Sequence, residues 1–439
     1  MIPHILFILS ACLSTLSLYM MIKYFKLYSI AHIRTTHVLY LFHMVMQFIP
    51  AIFFCLQPER YSAAPLYLTA CSIAALGIPI GSLLSCWLMG RPIHNSFELD
   101  NSTTIITQSK YFTIGWAVLG LSIIAAFLIQ APPSPLYDLI TKKDNLLNVQ
   151  MIRKEILNMG YLYGLARVFI LPALALFLLQ QWKHTSSYTI KFLIFALVTL
   201  IGVYAAYPSS KTPMAMLLLL IAMLGFTHNQ NRLGSFQELK AKLPLFLLLA
   251  TAILAYPLLI FSMKAFGQSN SILTVMIDGV LSRIFYKPAS NAYFAFQIIP
   301  DVFPFTHFRD IGKLTQLMNW EPYPLAQRIA ISKHYFLSQS PPPSIGGFYA
   351  QWGWPLVIAG PIIASTIFKS VETLVLSVKK LSPIELALYT LLLYGAFRFS
   401  WARFHNILLT ECIIPVLVVW TLWQFYKRFP QAKAKQISA

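Results

Sequence analysis

The sequence predicts an all-α, polytopic bundle of transmembrane helices, on three observations. Of the 439 residues, 57% are AVILMFWYC and only 11% are charged, against roughly 25% charged in an average soluble chain. Mean hydropathy is +0.66. Apolar runs of about 20 residues, the length that crosses the hydrocarbon layer, recur along the whole chain. Lipid offers no partner to backbone N–H and C=O groups, so such runs must be helical, and the alternating pattern of barrel strands is absent.

The first run, MIPHILFILSACLSTLSLYMMIKYFK, lacks the basic start and small-residue cleavage site of a signal peptide and reads as a retained span near 3–22. Further spans fall near 36–56, 64–88, 111–131, 161–181, 190–207, 212–227, 243–263, 345–368, 383–400 and 405–426, about eleven in all. Three regions follow: an N-terminal bundle of about eight spans over 1–263, a large loop over 264–344, and three spans with a basic tail over 345–439.

The short loops on one side carry Lys23, Lys26 and Arg34, then Arg91 and Lys110, Lys183 and Lys191, Arg232, Lys240 and Lys242, Lys369, Lys379 and Lys380, and finally Lys427, Arg428, Lys433 and Lys435. The positive-inside rule makes that side cytoplasmic, with the N-terminus outside and the C-terminus inside. A net charge of +19 would suggest nucleic acid in a soluble chain. Here Lys and Arg sit beside or between spans, where lipid headgroups or an anionic lipid-linked substrate are the expected partners and nucleic acid is not. Cys12, Cys55, Cys71, Cys86 and Cys412 all lie in apolar runs without a CxxC, so neither a disulfide framework nor a zinc site is indicated.

Two outer segments exceed connector length. Residues 132–160 space apolar residues helically around Lys142, Lys143, Arg153 and Lys154, which suits a helix in the membrane interface. Residues 264–344 carry Lys264, Arg283, Lys287, Arg309, Lys313, Arg328 and Lys333 against Asp278, Asp301, Asp310 and Glu321, with aromatics interleaved and Pro341 to Pro343 at the end. That content predicts an ordered loop with short helices, since loops of such length are usually functional or disordered.

Charges in or beside spans are costly and point to function. Lys211 lies in a short outer turn, as an exposed lysine or an anion contact, and Arg167 lies inside the fifth span, where it should face a cavity or a partner. The run YGAFRFSWARFHN brings Arg398, Arg403 and His405 together with Trp401 and Phe404. These form either an interfacial belt of aromatics and snorkelling arginines or a guanidinium pair gripping a diphosphate. His32, His37 and His43 do not share a helix face at ligand spacing, no Walker A, GxGxxG or GxSxG stands in its required context, and the loop 57–63 has a lone acid, Glu59. No metal or cofactor is therefore expected.

After the large loop comes PPPSIGGFYAQWGWPLVIAGPIIAS, with Gly346, Gly347, Phe348, Tyr349, Ala350, Trp352 and Gly353 opening the next span. At this point the chain resembles the Wzy-type O-antigen polymerases, the bacterial oligosaccharide repeat unit polymerases. Arg328 followed by Gly346 resembles that family's Arg-to-Gly spacing, two residues longer, and SSKTPMAMLLLL resembles its Ser-Arg-small motif with Lys211 in place of Arg. The resemblance implies a GT-C-like architecture in the bacterial inner membrane and transfer of one undecaprenyl-diphosphate-linked oligosaccharide onto another at the periplasmic face. Membrane lipids and a chain-length regulator would be further partners.

That chemistry needs cations to stabilise the leaving diphosphate, for which Arg328, Lys211, Arg398, Arg403, Arg167 and Arg283 are candidates. It also needs a base for the acceptor hydroxyl, drawn from His405, His334, Asp310, Glu321 and Asp278. Trp320, Tyr323, Tyr335 and above all Tyr349 and Trp352 could stack on sugar rings or belong to the membrane belt. The alternatives are an O-antigen ligase of the same architecture, a lipid-linked oligosaccharide flippase, which should show repeated halves and short loops, and a non-catalytic scaffold.

Overall fold

The structure, a computed structural model, describes residues 2–27, 34–91, 98–100, 102–132, 155–156, 160–207, 217–218, 220–221, 223–224, 286–332, 341–377 and 380–437. Most of the expected interfacial segment 132–160, of the spans 212–227 and 243–263, and of the stretch 264–285 lies outside these residues. In chain order the helices are α1 (Ile2–Phe25), α2 (Thr35–Cys55), α3 (Ala64–Met89), α4 (Thr103–Gln130), α5 (Leu162–His184), α6 (Tyr188–Ala206), α7 (Lys287–Ile298), α8 (Gly312–Leu317), α9 (Leu325–Ser332), α10 (Ser344–Trp352), α11 (Trp354–Val375), α12 (Pro383–Arg398) and α13 (Phe404–Arg428, running on to Ile437). Eight of them, α1 to α6, α11 and α13, are long and apolar enough to cross a membrane. The protein is an all-α polytopic membrane protein.

Two expected spans differ from the helices found. The run read as one span over 345–368 is two helices, because Gly353 takes φ +66 and the chain turns there before α11 begins at Trp354. A side chain at Gly353 would also meet the Phe305 ring at 3.0 Å. The run 383–400 forms α12, of 16 residues, which at 1.5 Å per residue is about 24 Å long and short of a hydrocarbon core of about 30 Å.

Three spanning helices widen into π-helical turns at Met44–Phe48, Ala166–Ile170 and Ile407–Glu411. Each precedes a proline, Pro50, Pro172 and Pro415 respectively. Proline cannot donate to the carbonyl four residues back and its ring crowds that carbonyl; an extra residue in the turn relieves the crowding, and such bulges gather at functional positions. In α5 the indole of Trp116 donates to the Ile170 carbonyl, the last of the π turn, at 3.0 Å.

Contacts divide the chain into two compact units. The first comprises Met1–Asn95, Leu281–Leu374 and Gly395–Leu409. Its core joins Phe54, Tyr61 and Tyr67 to Tyr293 and Phe296 of α7 and to Tyr349 of α10. α3 meets α11 closely: Gly77 and Gly81 lie against Pro361 and Ile362, and the Ser82 and Ser365 hydroxyls bond at 2.7 Å. At the start of α2 the buried Glu372 carboxylate accepts from the Thr35 N–H and hydroxyl, both at 2.7 Å, and pairs with Lys369.

The second unit comprises Ser96–Val280, Val375–Tyr394 and Thr410–Ala439. Phe112 packs among Trp116, Phe177, Trp423 and Tyr426. The Glu385 carboxylate accepts from Lys427 at 2.6 Å and Gln424 at 2.8 Å, and a two-residue parallel bridge joins Glu98–Leu99 to Lys380–Leu381.

Candidate functional site

The site is built around α10. The prolines before it cannot continue a helix, and Ser344, its first residue, donates to the Ala402 carbonyl at 2.8 Å, tying the helix to the turn before α13. Gly346 lets α10 lie directly on α7, since a side chain there would come within 2.7 Å of the Ala292 Cα. Ile345, Tyr349 and Ala350 thereby enter the core, while Gly347, Phe348 and Gln351 face a cavity of about 540 Å³.

The cavity is amphipathic. One wall is apolar and runs along spanning helices: Leu356, Gly360 and Ile363 of α11, with Leu408 and Leu409 of α13. Phe348 lies against Gly360, where a Cβ would meet its ring at 2.6 Å. At the other end stand Asp310, Arg403 and His405. The π turn of α13 directly follows this polar end.

Arg403 Nη1 donates to Asp310 Oδ2 at 3.2 Å and to the Asp310 carbonyl at 3.3 Å, with the Arg403 side chain 11% exposed and that of Asp310 1% exposed. Thr306 Oγ1 donates to the other carboxylate oxygen at 3.2 Å. Asp310 thus engages one nitrogen of the fork, and Arg403 Nε is buried with no hydrogen-bond partner among the described residues. Burial pulls the guanidinium below its ordinary pKa, and the Asp310 carboxylate opposes that shift. Arg403 lines the cavity, and among the acceptors that could enter it a phosphate oxygen suits a guanidinium best.

A second arginine adjoins the same segment. The Arg328 guanidinium lies 4.2 Å from the Tyr323 ring centroid and 4.7 Å from that of Phe303, two cation–π contacts that hold it in place. Tyr323 donates its N–H to the Arg309 carbonyl at 2.9 Å and its hydroxyl to the Pro304 carbonyl at 3.0 Å. Burial pushes the Tyr323 phenol pKa up and Arg328 draws it down. Arg328 and Arg403 are therefore anchored through consecutive residues, Arg309 and Asp310.

Of the residues singled out from sequence, Arg403, Asp310 and His405 come together at one cavity end, with Arg328 tied to the same loop. Arg398 is half-buried in the last turn of α12, beside the Trp401 ring at 5.6 Å. Glu321 is exposed between α8 and α9. Arg167 is buried beside Tyr204 in the second unit, inside the π turn of α5. His334, Asp278, Lys211 and Arg283 lie outside the described residues. Tyr349 offers no ring to a sugar: it is buried, stacked on Phe296 at 4.0 Å, because α10 turns that face inward. Trp352 is half-exposed, edge-on to His307 at 4.8 Å.

Sequence reasoning passed over Ser344, Gln351 and the stacking partner Phe303. The Ser-x-x-x-x-x-x-Gln spacing that sets Ser344 and Gln351 on one helical stripe with Gly347 and Phe348 was the available signal. Among the described residues no group of three His, Cys, Asp or Glu side chains is placed to hold a metal ion. No protein-family model, no curated protein and no solved structure matches the chain.

Proposed function

We propose that this membrane protein is a glycosyltransferase that polymerises undecaprenyl-diphosphate-linked oligosaccharide repeat units into surface polysaccharide, O-antigen, capsule or exopolysaccharide, in the manner of the Wzy-type polymerases. In this reading it sits in the bacterial inner membrane with about eleven spans in a GT-C-like arrangement, the short α12 crossing where the bilayer thins around it. Its N-terminus is periplasmic, its C-terminus cytoplasmic, and the Arg403 cavity opens at the periplasmic face.

The observation that carries the reading is the cavity's two-part chemistry: an apolar wall on two spanning helices shares one cavity with a nearly buried arginine paired to Asp310. A polyprenyl chain suits the wall and a diphosphate suits the guanidinium. In the transfer, an acceptor hydroxyl oxygen bonds to C1 of the donor sugar, the C1–O bond to the diphosphate breaks, and the hydroxyl proton passes to a base. Arg403 stabilises the charge growing on the leaving diphosphate, and His405, at the same end of the cavity, takes the proton. Asp310 orients Arg403.

The test is reconstitution with a polyprenyl-diphosphate-linked oligosaccharide as sole substrate, in excess chelator and without nucleotide. A ladder of longer glycans is the expected product. Strict dependence on a divalent ion or on a sugar nucleotide would remove this mechanism.

A further inference from the structure

The first unit holds a second cavity, of about 690 Å³, that shares no lining residue with the first. It lies along the second half of α2, beside the π turn Met44–Phe48 and Pro50. Val45, Ile49 and Phe53, spaced i, i+4, i+8, line it and are 38%, 43% and 61% exposed, so an apolar stripe lies open along a spanning helix. The stripe ends at Gln57 and Arg60 on the connection to α3.

The polar end is ordered. The Tyr61 and Tyr286 hydroxyls bond at 2.7 Å, and Phe54 stacks on Tyr61 at 4.7 Å behind them. Arg60 is exposed beside the Tyr61 ring at 5.5 Å and, among the described residues, has no carboxylate partner even though Glu59 precedes it. Gln47 of α2 donates to the Ser400 carbonyl at 2.6 Å, which places this half of α2 at the end of the unit that carries Arg403. The plan of the first cavity is thus repeated at the same end: a π turn, an apolar stripe on a spanning helix and an arginine at its head.

We infer that the second cavity is the subsite for the acceptor, a second polyprenyl-diphosphate-linked oligosaccharide, whose isoprenoid lies along Val45, Ile49 and Phe53 and whose diphosphate meets Arg60 and Gln57. This rests on the polymerase reading and assigns the two substrates by charge. The donor's diphosphate gains charge as it leaves and calls for a buried, preorganised guanidinium, which is Arg403. The acceptor's diphosphate keeps its charge throughout and needs only to be held, which an exposed arginine does.

The test uses the full chain in phosphatidylcholine nanodiscs with an undecaprenyl diphosphate oligosaccharide carrying a photoreactive isoprenoid, alongside steady-state elongation with the acceptor varied. Crosslinks are expected in 45–61 as well as in 356–363, and excess unlabelled lipid-linked oligosaccharide should suppress both. Arg60→Gln and Ile49→Trp, at exposed positions, should abolish the 45–61 crosslink alone. Arg60→Gln should raise the acceptor KM at least about tenfold, the worth of one hydrogen bond to a charged group, and Ile49→Trp should raise it by filling the groove, with kcat still reached at saturation in both. If the wild type elongates and both variants keep the acceptor KM, or 45–61 is never labelled, the subsite is overturned while the polymerase stands. Suppression of the 45–61 crosslink by phosphatidylglycerol as strong as by the substrate would assign the groove to bulk phospholipid instead. A wild type that elongates nothing would overturn the polymerase and this inference with it.

Discussion

Arg403 and Asp310 stand 93 residues apart in sequence and meet at 3.2 Å with both side chains nearly sealed from solvent. Breaking a buried pair by removing one partner strands the other charge and costs about 3–5 kcal/mol, whereas replacing both with apolar groups is often near neutral. Asp310→Ala should therefore lower the unfolding temperature in detergent strongly. Arg403→Met with Asp310→Leu should recover most of that loss. A double variant as unstable as the sum of the singles would show that the pair is not coupled.

Gly346 sits where α10 touches α7, with no room for a side chain against Ala292. Forcing atoms into a packed contact costs about 1–3 kcal/mol or more. Gly346→Val should reduce the protein in the membrane fraction on an immunoblot, while Gly347→Ala, where a Cβ meets nothing within 4 Å, should not.

Glu372 is buried against Lys369 and the first turn of α2. Glu372→Ala leaves a buried ammonium and an unpaired Thr35 N–H, so its cost should exceed that of Thr35→Ala, which removes one hydrogen bond of about 1–3 kcal/mol. Thermal unfolding of the two variants side by side measures the order; equal losses would contradict the buried pairing.

Tyr323 holds Arg328 by its ring and the loop by its hydroxyl. Tyr323→Phe keeps the ring and should leave elongation near normal. Tyr323→Leu should impair elongation as Arg328→Lys does, because both lose the stacked guanidinium plane. Elongation that followed the hydroxyl instead would make Tyr323 a loop pin only.

Hydropathy made most of the architecture legible, because lipid-crossing length and the absence of charge are local properties of the chain. α1, α3 and α5 begin and end within a few residues of the expected spans. Arg403 and His405 were visible as neighbours in one short run. Their partner Asp310 was a candidate too, yet nothing local distinguishes it from Asp301 or Glu321; only the folded loop brings it under Arg403. The break at Gly353 was hidden in an unbroken apolar run, since hydropathy is blind to φ. Tyr349 read as a sugar platform or a belt residue because aromatics at a membrane edge and aromatics in a core have the same sequence signature, and the packing of α10 on α7 puts it in the core. The stripe Val45, Ile49, Phe53 carries no sequence signature that separates it from ordinary lipid-facing surface, and only the folded chain shows a recess along it.

If Arg403 grips the leaving diphosphate, Arg403→Lys is the decisive variant. Lysine keeps the charge and its reach to Asp310 but loses the planar fork and the Nε donor. Losing such a donor to a developing charge is worth about 10² to 10³ in rate. The measurement is a glycan ladder from the reconstituted variant beside an immunoblot of the same membranes. Normal protein abundance with the long chains gone is the expected result. A ladder of undiminished length and intensity from Arg403→Lys would contradict it.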